Sequence, residues 1–423
     1  MWKRGKLAFV ITTLQVAFII IFVFFVEYHK DAYPANTLSN SLDGFGHFFT
    51  LLQHYHPVFQ DVNVLLVVGY GFLVTFLKKY AFNGVRFNLF LCSLTIQWSF
   101  IMQNIWKMQS GVMHFGIVSM VEANIASLAV LVSTGAVLGR INPLQLIIMS
   151  LIETVLYSLN KELGFNTFKV TDAGNSIFVH VFGAYFGLAV SFSLYQSEFS
   201  KINSGKSNLF STIIINFSGT LFLWAFWSSY NSSGIFGNDS HRAIVNMYLA
   251  LVSCTLTTFG LFSLLEGHNR FNIIHIQNAS IAGGVAIGTV ANMMIQPYGA
   301  MLVGLAASIV SVFGYAFLKP LLARKLKIQD TCGVHNLHGL PGVMGGILGV
   351  ILTLKAKESH YGFGIYELFP ALAPLENSTD LYEIHADYEP IDAGKNRFLS
   401  HRIQIPRTCK TVSGPSKDST HTL

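Results

Sequence analysis

This 423-residue sequence contains eleven long apolar runs, which follow one another between residues 7 and 354. The hydrocarbon core of a bilayer is about 30 Å thick, so a helix needs roughly 20 apolar residues to cross it. The chain is 52% hydrophobic and 11% charged, whereas soluble domains carry about 25% charged residues. The sequence therefore predicts an all-α polytopic membrane protein and excludes a soluble globular one. The first run covers residues 7–27, and ten core spans lie near residues 62–77, 87–106, 116–139, 144–160, 176–195, 209–227, 243–265, 273–291, 299–318 and 333–354.

The first run follows three basic residues, Lys3, Arg4 and Lys6. A cleaved signal peptide is the alternative interpretation. The run is longer than the apolar part of a signal peptide and lacks a small-residue cleavage site. We therefore expect a retained extra helix that follows a cytoplasmic segment, residues 1–6.

Basic residues in the loops predict the orientation in the membrane. Loops that alternate along the chain are rich in lysine and arginine, which favours the cytoplasm. This agrees with a cytoplasmic N-terminus and predicts a multi-pass protein of the cell membrane. In such a protein the formal net charge of +6 reflects loop composition and does not indicate a nucleic-acid partner. The basic residues of these loops are Lys78, Lys79, Arg86, Arg140, Lys201, Lys206, Arg270, Lys319, Arg324, Lys325 and Lys327.

Two apolar runs begin with the same unusual spacing of polar residues. Asp172 precedes His180 by eight positions, and Asp330 precedes His338 by eight; the second pair lies 158 residues after the first (330 minus 172). The predicted orientation makes these two helices antiparallel. We therefore expect two inverted five-helix repeats, about residues 62–195 and 209–354, in a membrane domain of residues 7–354, a plan common in membrane transport proteins. The segments GAVLG (135–139) and GVAIG (284–288) are weaker echoes of the same repeat.

The spacing also predicts the depth of the histidines. Eight helical residues rise about 12 Å, so His180 and His338 approach the midplane from opposite leaflets. Ionisable groups at that depth indicate a functional site, and we expect a pore role. The aspartates are explained by helix N-terminal capping, a structural role that needs no direct part in function. A metal needs three or four ligands and a bis-histidine haem needs two axial ones. We find no further ligand cluster at this depth, although His275 and His335 lie near one membrane face, so we expect no metal, no cofactor and no enzymatic activity.

Seven ordered segments between residues 7 and 354 resemble the Rh glycoprotein (Rhesus-type) branch of the ammonium transporter/Rh superfamily. The resemblance implies an ammonium-transporter-like bundle that forms a homotrimer or an Rh-family heterotrimer, with a pore in each subunit. The extra N-terminal helix is also similar to Rh proteins. The segments are FFVEY (24–28), VGYGFLVTFLKKY (68–80), GAVLGRINPLQLIIM (135–149), DAGNSIFVHVFGAYFGL (172–188), GTLFLWAFW (219–227), HIQNASIAGGVAIGT (275–289) and IQDTCGVHNLHGLPGVMGG (328–346).

The family carries a pair of pore histidines, which His180 and His338 match, and helix-start acids, which Asp172 and Asp330 match. Its two outer-gate phenylalanines are replaced here by Ile125 and Tyr230, so we expect a looser and wetter outer mouth.

Other residues resemble those of the family's outer vestibule. Asn231 is expected to line this vestibule. A vestibule glutamate of some members appears here as Lys161 with Glu162 beside it, which predicts weaker attraction of cations.

The resemblance implies a channel for NH3, formed from NH4+ by loss of a proton. Methylammonium and CO2 are further candidate solutes, and the lipid bilayer is the surrounding partner. One alternative is a non-conducting family member that supports a membrane complex. A metalloenzyme is a third alternative, but the sequence lacks the additional metal ligands that it would need.

The sequence changes character after residue 354. Residues 355–423 are expected to form a polar C-terminal tail, and the last transmembrane helix of the family is not found. Among the Asn-x-Ser/Thr sequons, Asn238 and Asn377 are the candidate glycosylation sites. Asn216 and Asn278 fall in predicted spans, and Asn231 is too close to the expected pore mouth.

Overall fold

The computed structural model describes residues 2–32, 42–76, 81–195, 210–265, 273–362 and 364–373. These ranges are helical apart from short turns and two short strands, which confirms the predicted all-α membrane fold. The predictions made for Lys78, Lys79, Lys201, Lys206, Arg270 and Asn377 lie outside these residues.

The first half contains the N-terminal helix and the first repeat. Several helices continue through wider π-helical segments, which cover Val64–Tyr70, Leu163–Thr167 and Ser176–Val181. The α-helices are α1 (Trp2–Phe25), α2 (Leu42–Asn63), α3 (Ala81–Asn104), α4 (Ile117–Val137), α5 (Pro143–Glu162) and α6 (Phe182–Ser193).

The second half repeats this arrangement with inverted orientation. Further π-helical segments cover Gly314–Leu318 and His335–Gly339. The α-helices are α7 (Phe210–Asn231), α8 (Gly237–Leu265), α9 (Ile273–Ile287), α10 (Gln296–Phe313), α11 (Lys319–Lys325) and α12 (Leu340–Lys355).

Eight helices in the described ranges are long and apolar enough to cross a membrane. The other three predicted spans are also helical, as parts of the segment from Leu42 to Phe76, of α7 and of α9. The helix expected from residue 62 begins at Leu42 instead. Its first part contains histidine, glutamine and Pro57, which lower the hydropathy that marks a span. The chain is thus a multi-pass membrane protein.

Two strands of three residues each were not predicted. Strand β1 (Val26–Tyr28) follows α1 and pairs in parallel with β2 (Met113–Phe115), which precedes α4. His29 N donates to Phe115 O at 2.9 Å just beyond the pairing. Three residues are too few to show the alternation by which a strand is identified in a sequence. The pairing ties the N-terminal helix to the first repeat.

The starts of the two histidine helices are bonded to the opposite repeat. We call the membrane face near Asp172 the outer face and that near Asp330 the inner face, following the predicted orientation. At the outer end, Gly174 N donates to Gly288 O at 2.8 Å. At the inner end, Cys332 N donates to Gly135 O at 3.1 Å. The echo segments GAVLG and GVAIG therefore supply the carbonyl groups that hold the two repeats together.

The chain after α12 packs on the outer face. Two short helices follow, α13 (Glu358–Tyr361) and α14 (Gly364–Leu368), and Leu368 and Phe369 at the end of α14 are buried. Thr171 Oγ1 donates to Leu368 O at 2.5 Å, beside the start of the first histidine helix. The beginning of the region expected to be a polar tail is therefore folded against the helical bundle.

Candidate pore site

Asp172 organises the start of the first histidine helix. Its Oδ2 accepts hydrogen bonds from Ile177 N at 2.9 Å and Phe178 N at 3.0 Å. Its Oδ1 accepts a bond from Thr289 Oγ1 at 2.7 Å, which comes from the second repeat. The carboxylate thus satisfies N–H groups that have no partner inside the helix.

Asp330 has the same relationship to the second histidine helix. Its Oδ1 accepts from Gly333 N at 2.8 Å and Val334 N at 2.9 Å, and its Oδ2 accepts from His335 N at 2.9 Å. Both acids are buried. Each carboxylate fixes the first turn of the helix that carries a histidine.

Both histidines lie in π-helical segments. His180 belongs to Ser176–Val181, where its N–H donates to Asn175 O at 3.2 Å, and His338 belongs to His335–Gly339. A π-helical turn has one more residue than an α-turn, and such turns occur frequently at functional sites. The extra residue changes the direction in which later side chains point. Sequence periodicity contains no signal for this local change.

The two imidazole rings meet at the centre of the protein. His180 Nδ1 and His338 Nδ1 are 3.1 Å apart, a hydrogen-bond distance. The ring centroids are 5.0 Å apart and the planes differ by 9°. The exposed fractions are 0% for His180 and 4% for His338. The sequence spacing predicted this pair, and the structure brings its members into contact.

Two aromatic side chains surround His180. Trp227 stacks on it with a centroid distance of 5.7 Å and an interplanar angle of 22°. Tyr230 meets its edge at 5.8 Å. Trp227 was not singled out in the sequence; its signal was its place in the GTLFLWAFW segment, one helical turn before Tyr230. Together these rings hold His180 in an apolar environment.

Two adjacent cavities contact the histidine pair. Both histidines line the outer cavity, which is otherwise mainly apolar and has Tyr230 in its wall. The inner cavity is lined by His338 and by Val334 near the Asp330 end, and it is more polar. Four residues line both cavities: Tyr70, Leu73, Leu337 and His338. These residues therefore form the partition between the two spaces.

The residues expected at the outer gate occupy different environments. Tyr230 is fully buried and lines the outer cavity, and its hydroxyl has no hydrogen-bond partner among the described residues. Ile125 is buried in the core, while Leu128 of the same helix lines the outer cavity. Asn231 is buried beside α8 and α9, where its Nδ2 donates to Gly284 O at 3.1 Å. The structure does not place Asn231 at either cavity.

The charged residues expected near the outer mouth form a local cluster. Lys161 Nζ lies 3.6 Å from Glu122 Oε1, and Lys107 Nζ lies 3.1 Å from Glu122 Oε2. Glu162 is half-buried and accepts a hydrogen bond from Asn166 Nδ2. Sequence reasoning missed Glu122, which is in the EANIASL stretch. It lies between two lysines, and its single negative charge offsets one of their two positive charges.

The remaining histidines singled out in the sequence lie apart from the pair. His275 stacks on Tyr315 with a centroid distance of 5.0 Å, and His335 meets Tyr185 at 5.9 Å. In the described ranges, no three His, Cys, Asp or Glu side chains gather as a metal site would require. The site is therefore built from two imidazoles, aromatic rings and aliphatic side chains.

The exposure of Asn238 and Asn216 agrees with the glycosylation pattern expected from the sequence. Asn238 is exposed at the start of α8, whereas Asn216 is buried. Asn216 Nδ2 donates to Leu73 O inside the protein. Asn238 stays a predicted glycosylation site.

Comparisons with known proteins agree with this architecture. Residues 9–372 match the Ammonium Transporter Family. Ammonium transporter Rh type B-A of Xenopus laevis is 43% identical over 379 residues, which cover 87% of this chain and 81% of that protein. Ammonium transporter Rh type A of Mus musculus is 45% identical over 362 residues, which cover 82% of this chain and 81% of that protein.

Solved structures show the same fold. The structure of Nitrosomonas europaea Rh50, a member of the Rhesus protein family of channels, has a TM-score of 0.65 and 27% identity, and the match covers 79% of this chain and 97% of that one. Mep2 of Saccharomyces cerevisiae has a TM-score of 0.61 at 15% identity, with 79% of this chain and 78% of that chain covered. The second likeness concerns the fold alone.

Fold and site together define a polytopic membrane protein of two inverted repeats with a buried histidine pair at their junction. The chain belongs to the Ammonium Transporter Family, in its Rh branch. It is a member of a transporter family and is not an enzyme.

Proposed function

We propose that this protein is a channel that conducts ammonia as NH3 past His180 and His338. The observation that carries the proposal is the 3.1 Å contact between the two Nδ1 atoms, beside two adjacent cavities. The relatives named ammonium transporters and the Rh50 structure support ammonium as the solute class.

The Nδ1 contact determines what the pair offers to a solute. A neutral imidazole carries one proton on one of its two nitrogens. In an Nδ1–Nδ1 hydrogen bond, one ring donates and the other accepts, so one remaining Nε2 carries a proton and the other has a free lone pair. Nε2 of His180 is buried and has no partner among the described residues. The pair therefore offers one donor and one acceptor, which complement a molecule such as NH3.

The apolar walls favour a neutral solute over an ion. Apolar side chains cannot replace the water that surrounds a cation, and a charge at mid-membrane depth is strongly unfavourable. Around the pair, Trp227, Leu128 and Leu337 provide such walls. We therefore propose that NH4+ releases a proton to water at the outer mouth, that NH3 crosses, and that NH3 takes a proton from water on the inner side.

The proposal includes the setting of the channel. The protein lies in the cell membrane with a cytoplasmic N-terminus and assembles as a trimer, either with copies of itself or with Rh-family relatives. Large apolar side chains on the outside of the bundle support contact with lipid or with other subunits, for example Leu256, Leu264 and Leu354.

The experiment is a stopped-flow measurement of internal pH in liposomes that contain the purified protein. An inward ammonium gradient should raise internal pH faster than in protein-free liposomes of the same lipid. Equal rates with properly inserted protein would contradict a channel function and favour a supporting role in a membrane complex. A CO2 gradient in the same liposomes tests whether the protein conducts CO2 as well as ammonia.

A further inference from the structure

The inner cavity differs in chemistry from the outer one. Its polar lining includes the amide groups of Asn216, Gln277 and Asn278, together with His338 and the hydroxyl-bearing Tyr70. Among the described residues, no amide side chain lines the outer cavity. A solute that leaves His338 toward the inner face thus enters a space that can form hydrogen bonds.

Gln277 is the least satisfied of these amides. Its exposed fraction is 1%, and neither its Oε1 nor its Nε2 has a hydrogen-bond partner among the described residues. Burying an amide without partners is unfavourable, because the group loses its bonds to water and gains none. A small polar molecule in the cavity, such as water or ammonia, would supply the hydrogen bonds that this amide lacks.

The neighbouring asparagines are partly engaged. Asn278 Nδ2 donates to Cys332 O at 3.2 Å, and Asn216 Nδ2 donates to Leu73 O. An amide nitrogen held by a backbone carbonyl leaves the side-chain oxygen of Asn216 as an acceptor. The cavity wall thus combines a wholly free amide with a further acceptor oxygen, and none of these groups carries a fixed charge.

We propose that Gln277 and Asn216 form a binding subsite for ammonia or ammonium on the inner side of His338. This inference rests on the proposed channel function and adds the place where the solute first regains polar contacts. NH3 can accept from the Gln277 Nε2 and donate to amide oxygens, and NH4+ can donate to the same oxygens. Neutral acceptors bind the solute without the strong retention that a carboxylate would cause, since conduction requires release.

Transport by variants tests the subsite. Gln277→Leu removes both hydrogen-bonding atoms at similar volume and should lower ammonia permeability roughly tenfold, as the loss of one or two hydrogen bonds implies. Gln277→Glu keeps the acceptor but adds a charge, and should lower both the half-saturating ammonium concentration and the maximal rate. If Gln277 had only a structural role, Gln277→Glu would not lower the half-saturating ammonium concentration and the maximal rate together.

Ser311→Ala is the matched control. Ser311 is fully buried in α10, its hydroxyl has no hydrogen-bond partner among the described residues, and it lines neither cavity. Its replacement should leave permeability unchanged. Normal permeability in folded Gln277→Leu protein, alongside reduced permeability in the His338→Ala variant, would overturn the subsite and leave the channel function intact. If Gln277→Leu does not fold, the Gln277→Glu kinetics decide the question.

A direct measurement of occupancy is independent of transport. Cryo-electron microscopy of the purified protein with saturating methylammonium should show density beside Gln277 that is absent without it. An inner cavity without such density would overturn the subsite, even in a protein that conducts ammonia. Absence of conductance in wild-type protein would contradict the proposed function, and the density would then test binding alone.

Discussion

Asp172 and Thr289 join the two halves of the protein through a 2.7 Å hydrogen bond from the threonine hydroxyl to the carboxylate. The acceptor is the same acid whose other oxygen holds the first turn of the His180 helix. The second repeat therefore helps to position the histidine of the first.

Replacement of Thr289 by valine should destabilise this junction. Valine keeps the shape but removes the hydroxyl, so one oxygen of a buried acid loses its partner. We expect a loss of about 1–3 kcal/mol in the free energy of unfolding, measured by thermal unfolding in detergent. Thr353→Val is the matched control, because Thr353 Oγ1 donates only to Gly349 O within its own helix. Equal shifts for both variants would contradict a special role of the Asp172 contact.

The histidine pair should control permeability. His180→Ala and His338→Ala each remove one member of the Nδ1–Nδ1 bond and leave the other ring without its partner. We expect permeability to ammonia to fall by roughly tenfold in each variant. Stopped-flow pH changes in proteoliposomes provide the measurement. His335→Ala serves as the control, because His335 lies nearly one turn closer to the inner face. Unchanged permeability in both pair variants would exclude the pore assignment.

Glu153 should be present as a neutral carboxylic acid. It is fully buried in α5 and bonded to Ser133 Oγ, which also lies 2.7 Å from Gly183 O. The single hydroxyl proton of Ser133 cannot serve two acceptors well, so the carboxyl must donate if Ser133 donates to Gly183. Glu153→Gln keeps a neutral donor and should change unfolding little, whereas Glu153→Leu should cost about 1–3 kcal/mol. Thermal unfolding of both variants decides this. Strong destabilisation by glutamine would indicate a carboxylate instead.

The outer cavity should become drier without the Tyr230 hydroxyl. This hydroxyl is buried without a partner among the described residues, so Tyr230→Phe removes an unsatisfied group and should be neutral or stabilising. It should also lower the permeability ratio of methylammonium to ammonia, because a hydroxyl can bind the water that accompanies a larger amine. Both permeabilities are measured in one reconstituted preparation.

Ile125→Phe tests the other gate position. A ring in place of Ile125 should also lower the methylammonium ratio if this residue faces the permeation path. Since Ile125 is packed in the core and Leu128 lines the cavity, Leu128→Phe is the informative companion. Ratios that stay constant in all three variants would show that selectivity is determined at the histidines.

The sequence by itself determined the class of fold. Apolar runs of bilayer length require helices, because backbone groups in lipid must find partners within their own segment. The equal spacing of Asp172–His180 and Asp330–His338 indicated the inverted repeat, and this prediction is confirmed. The ordered series of motifs indicated the family, which the comparisons confirm. Hydropathy and spacing are properties of each segment alone, so they can be read without the fold.

Only the tertiary structure decided which groups line the cavities beside the histidine pair. The π-helical turns at both histidines, the stacking of Trp227 and the free amide of Gln277 depend on neighbours far away in the sequence. Gln277 and His338 are 61 residues apart (338 minus 277), yet they line one cavity. Which hydrogen-bonding groups are buried, and which of them find partners, depends on packing, and packing is a property of the whole fold.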